Sequence, residues 1–521
     1  MQGESLYAGP MLLDVESQAD AMVLTFKHAG LGLQSSDGMP LRHFEIAGSD
    51  GRFMPATARI SGKTRVHVKG KGVLEPQAVR YAWAPFPDAG VNFYNSVGVP
   101  ASPFSTQSDE DVFAAAELSP TGRAGAGKRP NVLLIVSEDN GPELGCYGDK
   151  NARTPNLDRL ASEGVLFKNA YVTQSVCNSS RSTLFTGLYP HQNGQLGLAT
   201  HQFAMYRKWP TTYSILKAAG YRTGLIGKTH VNPVSAVEDY VDFRRISSSN
   251  FAKKNLDKYS IEAASFINAS EQPFFLTVNY PDAHWPLQDQ VGGRPAVISK
   301  HADVQPMPYV AFDNARLRVH LAGFYNCMAR LDECVGELLK VLSDSGKVKN
   351  TLVIYMGDHG AQFARGKVFV TEGGLRIPLL VRWPKHAQSG LVSDQLVSTI
   401  DLLPTIVAAA GGRIPDGVPG KNLRGVLAGN TTPLRTHLFA ERNCDSADLH
   451  FPQRSVRDGR YKLIKTMLND RADPGAQKCL DNGASNFRGS PTHNELVGCD
   501  SLTQKIYETW LNPPPIQLYD L

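Results

Sequence analysis

Residues 131–141 read NVLLIVSEDNG. The first seven form an almost unbroken apolar run, the pattern of a strand covered on both faces of a sheet rather than on one. Polar residues, among them the adjacent carboxylates Glu138 and Asp139, follow at once. The same grammar recurs at GLIGKTH (224–230), FFLTVNY (274–280), TLVIYMGDHG (351–360) and IPLLVRW (377–383). Helix-period segments fall between them: NLDRLASEG (156–164), YSILKAAG (213–220), a long one from about Asn314 to Leu342, and DLLPTIVAAAG (401–411). Strand alternating with helix predicts an α/β domain with a largely parallel sheet. In open α/β sheets, ligands bind outside the carboxyl ends of the strands. The clusters SEDNG, GKTH, YPDAH and GDHG all fall there.

Outward from this core the texture changes. Residues 1–106 hold short, partly alternating runs (MVLTFKHAG, HFEIAG, TRVHVKG, AVRYAWA) separated by turn signals, which predicts an all-β domain. Residues 107–128 are small, polar and Gly-rich and read as a linker. The α/β domain is expected over 129–435, with a small, irregular C-terminal subdomain over 436–521.

Composition excludes several classes. With 521 residues the chain is long enough for two or three domains. An excess of 54 basic over 49 acidic residues, net +5, is too dilute to argue for nucleic acid. No apolar stretch reaches the length of a membrane span, and the first residues carry no signal-peptide pattern. The seven cysteines include no C-x-x-C pair, which argues against zinc. Cys479 and Cys499 flank a polar loop and are a candidate disulfide; Cys327 and Cys334 lie seven apart in a helical pattern and read as buried small hydrophobes.

Three sets of residues carry chemistry. Cys177 and Arg181, in CNSSRSTLFTG (177–187), open a helical stretch, where unpaired backbone N–H groups favour an anion and Arg181 offers a planar fork; a core cysteine near a surface arginine is the bland alternative. Glu138 with Asp139, and Asp358 with His359, end buried strands; paired carboxylates there call for a hard cation such as calcium or magnesium, or else are solvated loop groups. Lys228, His230, His284 and Lys367 follow strands and together would surround an anion with positive charge and proton donors.

In this order the pieces resemble the type I, formylglycine-dependent sulfatases of the alkaline phosphatase superfamily. The motif C-x-P-S-R-x-x-x-L-x-T-G is matched at Cys177, Ser180 and Arg181, and its T-G by Thr186 and Gly187 one residue early, with Phe185 directly before Thr186; G-K-x-H at Lys228 and His230; D-P-H-x-P at Asp282–Pro286; and K-x-x-x-x-E-G-G-x-R-x-P at Lys367–Pro378. GLYPHQNGQLGLATHQF (187–203) and DLHFPQRSVR (448–457) are most similar to the sulfamidase (heparan N-sulfatase) branch. The closing QLYDL resembles a segment after which related chains continue, so the C-terminus is expected to be cut. Residues 41–60 and 78–104 resemble the β-rich C-terminal domain of sialate O-acetylesterases, implying an accessory unit, either glycan-binding or a passive spacer. Ser179 stands where the family has Pro, and Glu138 where it has Asp.

The resemblance implies an alkaline-phosphatase-like fold and hydrolysis of a sulfate or N-sulfo group on a sulfated oligosaccharide or polysaccharide, including O-sulfates of algal polymers such as ulvan or fucan. It implies one Ca2+ held by Glu138, Asp139, Asp358, His359 and residue 177. It also implies conversion of Cys177 to formylglycine by a formylglycine-generating enzyme or anaerobic maturase. Arg181, Lys228 and Lys367 are expected on the sulfuryl oxygens, His284 as proton donor, His230 beside residue 177, and His201 and Arg454 on the substrate. A periplasmic or secreted location goes with such substrates. A phosphodiesterase or phosphonate hydrolase of the same superfamily, and a non-catalytic glycan-binding protein, are the competing expectations.

Overall fold

The computed structural model describes residues 9–82, 90–106, 129–247, 254, 256–481 and 489–521. The chain divides into two compact units, Met1–Ala116 with Pro415–Pro419, and Glu117–Ile414 with Gly420–Leu521. The expected linker at 107–128 lies outside the described residues.

The first unit is all-β, as expected. Its strands are β1 (Met11–Gln18), β2 (Ala21–Lys27), β3 (Leu33–Ser35), β4 (Phe44–Ala47), β5 (Phe53–Ser61), β6 (Arg65–Gly70), β7 (Ala78–Tyr81), β8 (Phe93–Asn95) and β9 (Phe104–Ser105). Seven form one antiparallel sheet in the order β1-β2-β6-β5-β4-β7-β9, and β3 pairs with β8. Phe26, Phe44, Tyr81, Phe93 and Phe104 meet edge-on or stacked at 4.7–6.2 Å between centroids and fill its centre. Strands β1 and β5 left little trace in the sequence because most of their side chains face solvent, so the apolar alternation that marks a half-buried strand is weak.

The second unit carries β10 (Asn131–Ser137), β11 (Val165–Tyr171), β12 (Arg222–Gly227), β13 (Phe243–Arg245), β14 (Phe274–Asn279), β15 (Thr351–Gly357), β16 (Arg376–Ile377), β17 (Leu379–Arg382) and β18 (Leu391–Ser398) in one nine-stranded sheet. Its order is β13-β12-β14-β10-β15-β17-β11-β16, with β18 beside β11. Strands β12, β13, β14, β10 and β15 run parallel, and β10 is buried along its whole length. IPLLVRW departs from the parallel expectation: β17 is antiparallel to β15. The intervening 358–378 segment holds the one-turn helix Glu372–Leu375 and the two-residue β16 but no crossover helix, so the chain returns beside the strand it left. The last four strands, β19 (Leu438–Arg442), β20 (Gln453–Arg457), β21 (Tyr461–Thr466) and β22 (Ile516–Asp520), make a small antiparallel sheet within the same compact unit.

The helices cover the large sheet. They include α1 (Pro155–Ser162), α2 (Cys177–Thr186), α3 (Thr212–Ala218), α4 (Asp257–Asn268), α5 (Ala315–Asp344) and α6 (Leu402–Ala409). Cys327 and Cys334 are buried in α5 as expected. Cys479 and Cys499 are not a disulfide; all seven cysteines are free. The Cys499 thiol lies 3.4 Å from the Glu495 carbonyl, and Cys479 is buried in the helix Pro474–Asp481. The Asn314 side chain accepts a hydrogen bond from the Leu317 N–H at 2.8 Å and so caps α5. Asn314→Ala is expected to cost about 1 kcal/mol, read as a lower urea midpoint of unfolding with unchanged slope.

Candidate active site

Register assembles the site. Ser137 pairs with Gly357, Val136 with Asn279 and Gly227 with Asn279, so β10, β15, β14 and β12 end at one level and their next residues emerge together. Glu138 and Asp139 leave β10 beside Asp358 and His359 leaving β15. All four are 0% exposed. The Asp139 N–H donates to Asp358 Oδ1 at 3.0 Å, with Asp139 at φ 52°, a left-handed conformation of the kind held at functional sites. Gly360, next in the chain, donates its N–H to the Gly374 carbonyl at 2.8 Å; a Cβ at position 360 would lie 1.8 Å from the Gly373 carbonyl oxygen, so only glycine fits.

Cys177 is the first residue of α2, so its thiol stands at the helix's positive end. The Sγ lies 3.1 Å from His359 Nε2 and 4.0 Å from Asp139 Oδ1. His359 Nδ1 donates to the Gly360 carbonyl at 3.0 Å, which aims Nε2 inward. Burial depresses the His359 pKa, but Asp358, Cys177 and Asp139 outweigh it and raise it to about 9.

Buried cations brace these carboxylates. Arg181, one turn along α2, sits 3.1 Å from Asp358 Oδ2 and donates to Asn279 Oδ1 at 2.8 Å. Lys367 Nζ bonds both Asp139 oxygens at 2.9 Å, and Lys228 bonds Glu138 Oε1. Burial opposes ionisation of Asp139, yet Lys367, His284 and His359 hold it well below the usual carboxylate range. His284 donates from Nδ1 to the Trp285 carbonyl at 2.7 Å and turns Nε2 to within 4.0 Å of Asp139. Burial, then Lys228, Arg181, Lys367 and His284, push the His230 pKa far down and keep it neutral. Every residue expected in the catalytic and metal groups therefore converges on one locus. His201 and Arg454 do not join it. His201 is exposed in the turn Ala199–His201, and Arg454 donates to the backbone carbonyls of Arg442 and Gln453 and lies 3.7 Å from Glu441.

Sequence reading passed over a second buried network. Arg330 of α5 holds Asp282 by Nε at 2.7 Å and by a terminal nitrogen at 2.9 Å, and Lys254 bonds the same carboxylate and the His284 carbonyl. The Asp282 backbone in turn accepts the Glu138 N–H at 2.9 Å, and the next N–H, of Ala283, donates to the Glu138 carbonyl. Asp282 thus ties α5 to a carboxylate of the site and to His284. The signal was present: Arg330 interrupts the apolar stripe Cys327–Leu331–Cys334 of α5. Asn279, a polar residue ending a buried strand, gave a similar one.

The donor set fits a divalent cation. Asp139, Cys177, Asp358 and His359 place ligand atoms within 4.8 Å of one another, as do Glu138, Asp139 and His284. Glu138 Oε2 is buried with no hydrogen-bond partner. The negative surroundings that hold a proton on His359 are those a metal ion would meet.

Residues 130–412 match the Sulfatase family model, over half of the chain. The chain belongs to the sulfatase family. Residues 357–473 of this sulfatase also match the model "N-sulphoglucosamine sulphohydrolase, C-terminal". It is 31% identical over 399 residues to the human N-sulphoglucosamine sulphohydrolase, covering 70% of this chain and 78% of that protein. It is 29% identical over 405 residues to an ulvan-active sulfatase of Formosa agariphila, covering 76% and 74%. A protein solved in complex with its substrate D-glucosamine-2-N,6-O-disulfate shares the fold, with a TM-score of 0.56 at 19% identity over 74% of this chain and 99% of that one. The sulfatase is a hydrolase of sulfate esters or sulfamates.

Two measurements probe the frame. Arg330→Ala leaves Asp282 buried with half its partners, so about 3 kcal/mol of stability is expected to go, with kcat for an aryl sulfate falling more than KM rises; urea unfolding and steady-state kinetics report the two effects. Glu441 pairs with His191 Nδ1 and N–H, both at 2.9 Å; burial raises its pKa, but His191 and Arg454 bring it down to about 2 from an ordinary 4.5. A depressed folded-state pKa stabilises above pH 4.5 and ceases to do so as pH falls toward 2. The stability gap between wild type and Glu441→Gln is therefore expected to be full at pH 6 and to shrink across that window.

Proposed function

We propose that this sulfatase removes a sulfuryl group from a sulfated sugar, with residue 177 as nucleophile. The observation that carries this reading is the Cys177 side chain at the start of α2, facing His359 and Asp139, with Arg181, Lys228 and Lys367 buried around them. Those three cations balance Glu138, Asp139 and Asp358. A calcium ion held by Glu138, Asp139, Asp358, His359 and residue 177 would leave the pocket net positive, ready for an anion, and would favour the deprotonated form of a hydroxyl at residue 177. Conversion of Cys177 to formylglycine by a generating enzyme or maturase would supply that hydroxyl as a hydrated aldehyde.

The chain's own groups do the rest. Arg181, Lys228 and Lys367 receive the sulfuryl oxygens, and losing one such donor typically costs about 100- to 1000-fold in rate. His284, with its Nδ1 proton committed to Trp285, turns Nε2 into the site; burial lowers its pKa, so it would have to be in its imidazolium form, beside Lys367, to give an Nε2 proton to the departing oxygen or nitrogen. His230, kept neutral by burial and the surrounding cations, is assigned the second proton from residue 177.

The relatives' names support a sulfated glycan as substrate, either an N-sulfo sugar or an algal polymer such as ulvan. Arg454 and His201 are assigned to the substrate's outer portion. Residues 1–106 are assigned an accessory role, and export to the periplasm or medium fits a polymeric substrate; among the described residues, no helix is long and apolar enough to cross a membrane. The test is mass spectrometry of the peptide spanning residue 177 from the native host, joined to kinetics of Cys177→Ala. The expected result is an aldehyde lacking sulfur in the wild type, and a folded variant with no turnover of aryl or sugar sulfates. Unmodified cysteine in active protein, or undiminished turnover by the variant, would refute the nucleophile. Faster turnover of aryl phosphate than of aryl sulfate would refute the substrate class.

A further inference from the structure

The loop that carries Lys367 has a second face, and it walls a cavity of about 310 Å3 that the proposed chemistry leaves unused. The inner wall is apolar. Phe369, Val370, Ile464 and Trp510 are buried there, with the Phe369 and Trp510 rings 4.8 Å apart between centroids. The helix Ser501–Leu511 and strand β22 complete the lining, and exposed Leu502 and Lys505 open it to solvent.

The wall is held in place by bonds to the nucleophile's own loop. Val368 donates its N–H to the Ser175 carbonyl at 2.8 Å, and Ser175 Oγ donates to the Phe369 carbonyl at 2.7 Å, two residues before Cys177. Arg365 and Val368 have φ of 62° and 83°, a conformation that surrounding bonds must sustain. Between them Lys367 turns to Asp139, while Arg365, Phe369 and Val370 line the cavity. A cavity so braced needs little ordering when a ligand enters.

Three charged side chains line it. Asp473 is already neutralised, because Arg442 bonds both its oxygens, one of them at 2.8 Å. Arg365 donates to the Tyr309 carbonyl at 2.9 Å and has no carboxylate partner, and Lys505 has neither hydrogen bond nor ion pair among the described residues. The Thr509 hydroxyl and the Gln517 amide nitrogen, also in the lining, are unpaired as well. An apolar pocket with a few polar groups is the usual make-up of a small-molecule site. Two unpaired cations call for an anion. Neutral hydrogen-bonding groups beside an apolar wall suit a ring that has hydroxyls on its edge and C–H groups on its face.

We propose that this cavity is a second binding site, for a sugar unit bearing a carboxylate or sulfate, free or within a glycan chain. Its ring lies against Val370, Ile464 and Trp510, and its anion lies on Arg365 and Lys505. The choice of a sugar over another amphipathic anion rests on the reading of the substrate as a sulfated glycan.

The test uses the full chain with Cys177→Ala, so that nothing is turned over. Glucuronate, glucosamine 6-sulfate, glucose and inorganic sulfate are titrated by calorimetry, and soaked crystals locate each bound probe. Arg365→Ala and Lys505→Ala remove the partners of the anion, and Thr509→Trp fills the cavity; urea midpoints check that each variant is folded. Both anionic sugars are expected in the cavity, with Kd about 10-fold higher in either alanine variant and binding there lost in Thr509→Trp. Glucose and inorganic sulfate are expected to bind at least about 10-fold more weakly than the anionic sugars. A sulfated oligosaccharide distinguishes the sources: tighter binding than the monosaccharides, abolished by Thr509→Trp, marks a unit of the glycan, and equal affinity marks a free sugar. Anionic sugars found only at the catalytic locus, affinities unchanged in all three variants, or glucose bound as tightly as glucuronate would overturn the site. Binding in the cavity by a chain whose wild type hydrolyses no sulfated sugar would leave the site standing and overturn the proposed substrate class instead.

Discussion

Glu138, Asp139 and Asp358 are held out of water at the ends of two neighbouring strands. Charges in such a place are stable only when countercharges and hydrogen bonds meet them. Much of the second unit's polar architecture answers that need: Lys228 and Lys367 from loops, Arg181 from α2, and the N–H of Asp139 itself. The same arrangement is what the proposed calcium ion and anionic substrate would meet.

The supports are themselves layered. Asp282 never faces the nucleophile, yet its backbone steadies Glu138 and its side chain is gripped by Arg330 from the long helix. Packing of α5 against the sheet therefore bears on the placement of His284 as much as on stability. The rim is built differently. Glu441 and Arg454 come from the small antiparallel sheet, His201 from a surface turn, and none is part of the parallel strand ends. The strand-end cluster and this periphery are thus separate pieces of backbone.

The sequence exposed the buried strands plainly. NVLLIVS and TLVIYMG are apolar throughout because both faces are covered, and β10 and β15 run as those stretches do. Site residues were legible because they follow such strands or sit in a dense motif. What escaped depended on partners far along the chain. The direction of β17 follows from a return loop, not from its own residues. Arg330 and Lys254 take meaning only from Asp282. The candidate disulfide between Cys479 and Cys499 is not formed, because loop spacing says nothing about which way two thiols point. His201 and Arg454, taken from resemblance alone, lie at the edge, where side chains are held less tightly.

The level pairing of Ser137 with Gly357 has a consequence for how such a protein can diverge. Inserting or deleting one residue in either strand would rotate a ligand-bearing pair to the opposite face of the sheet. Lengthening the turn after β19 would leave that alignment untouched. Descendants of this scaffold are accordingly free to vary through indels at the periphery, while the spacing within the central strands stays frozen.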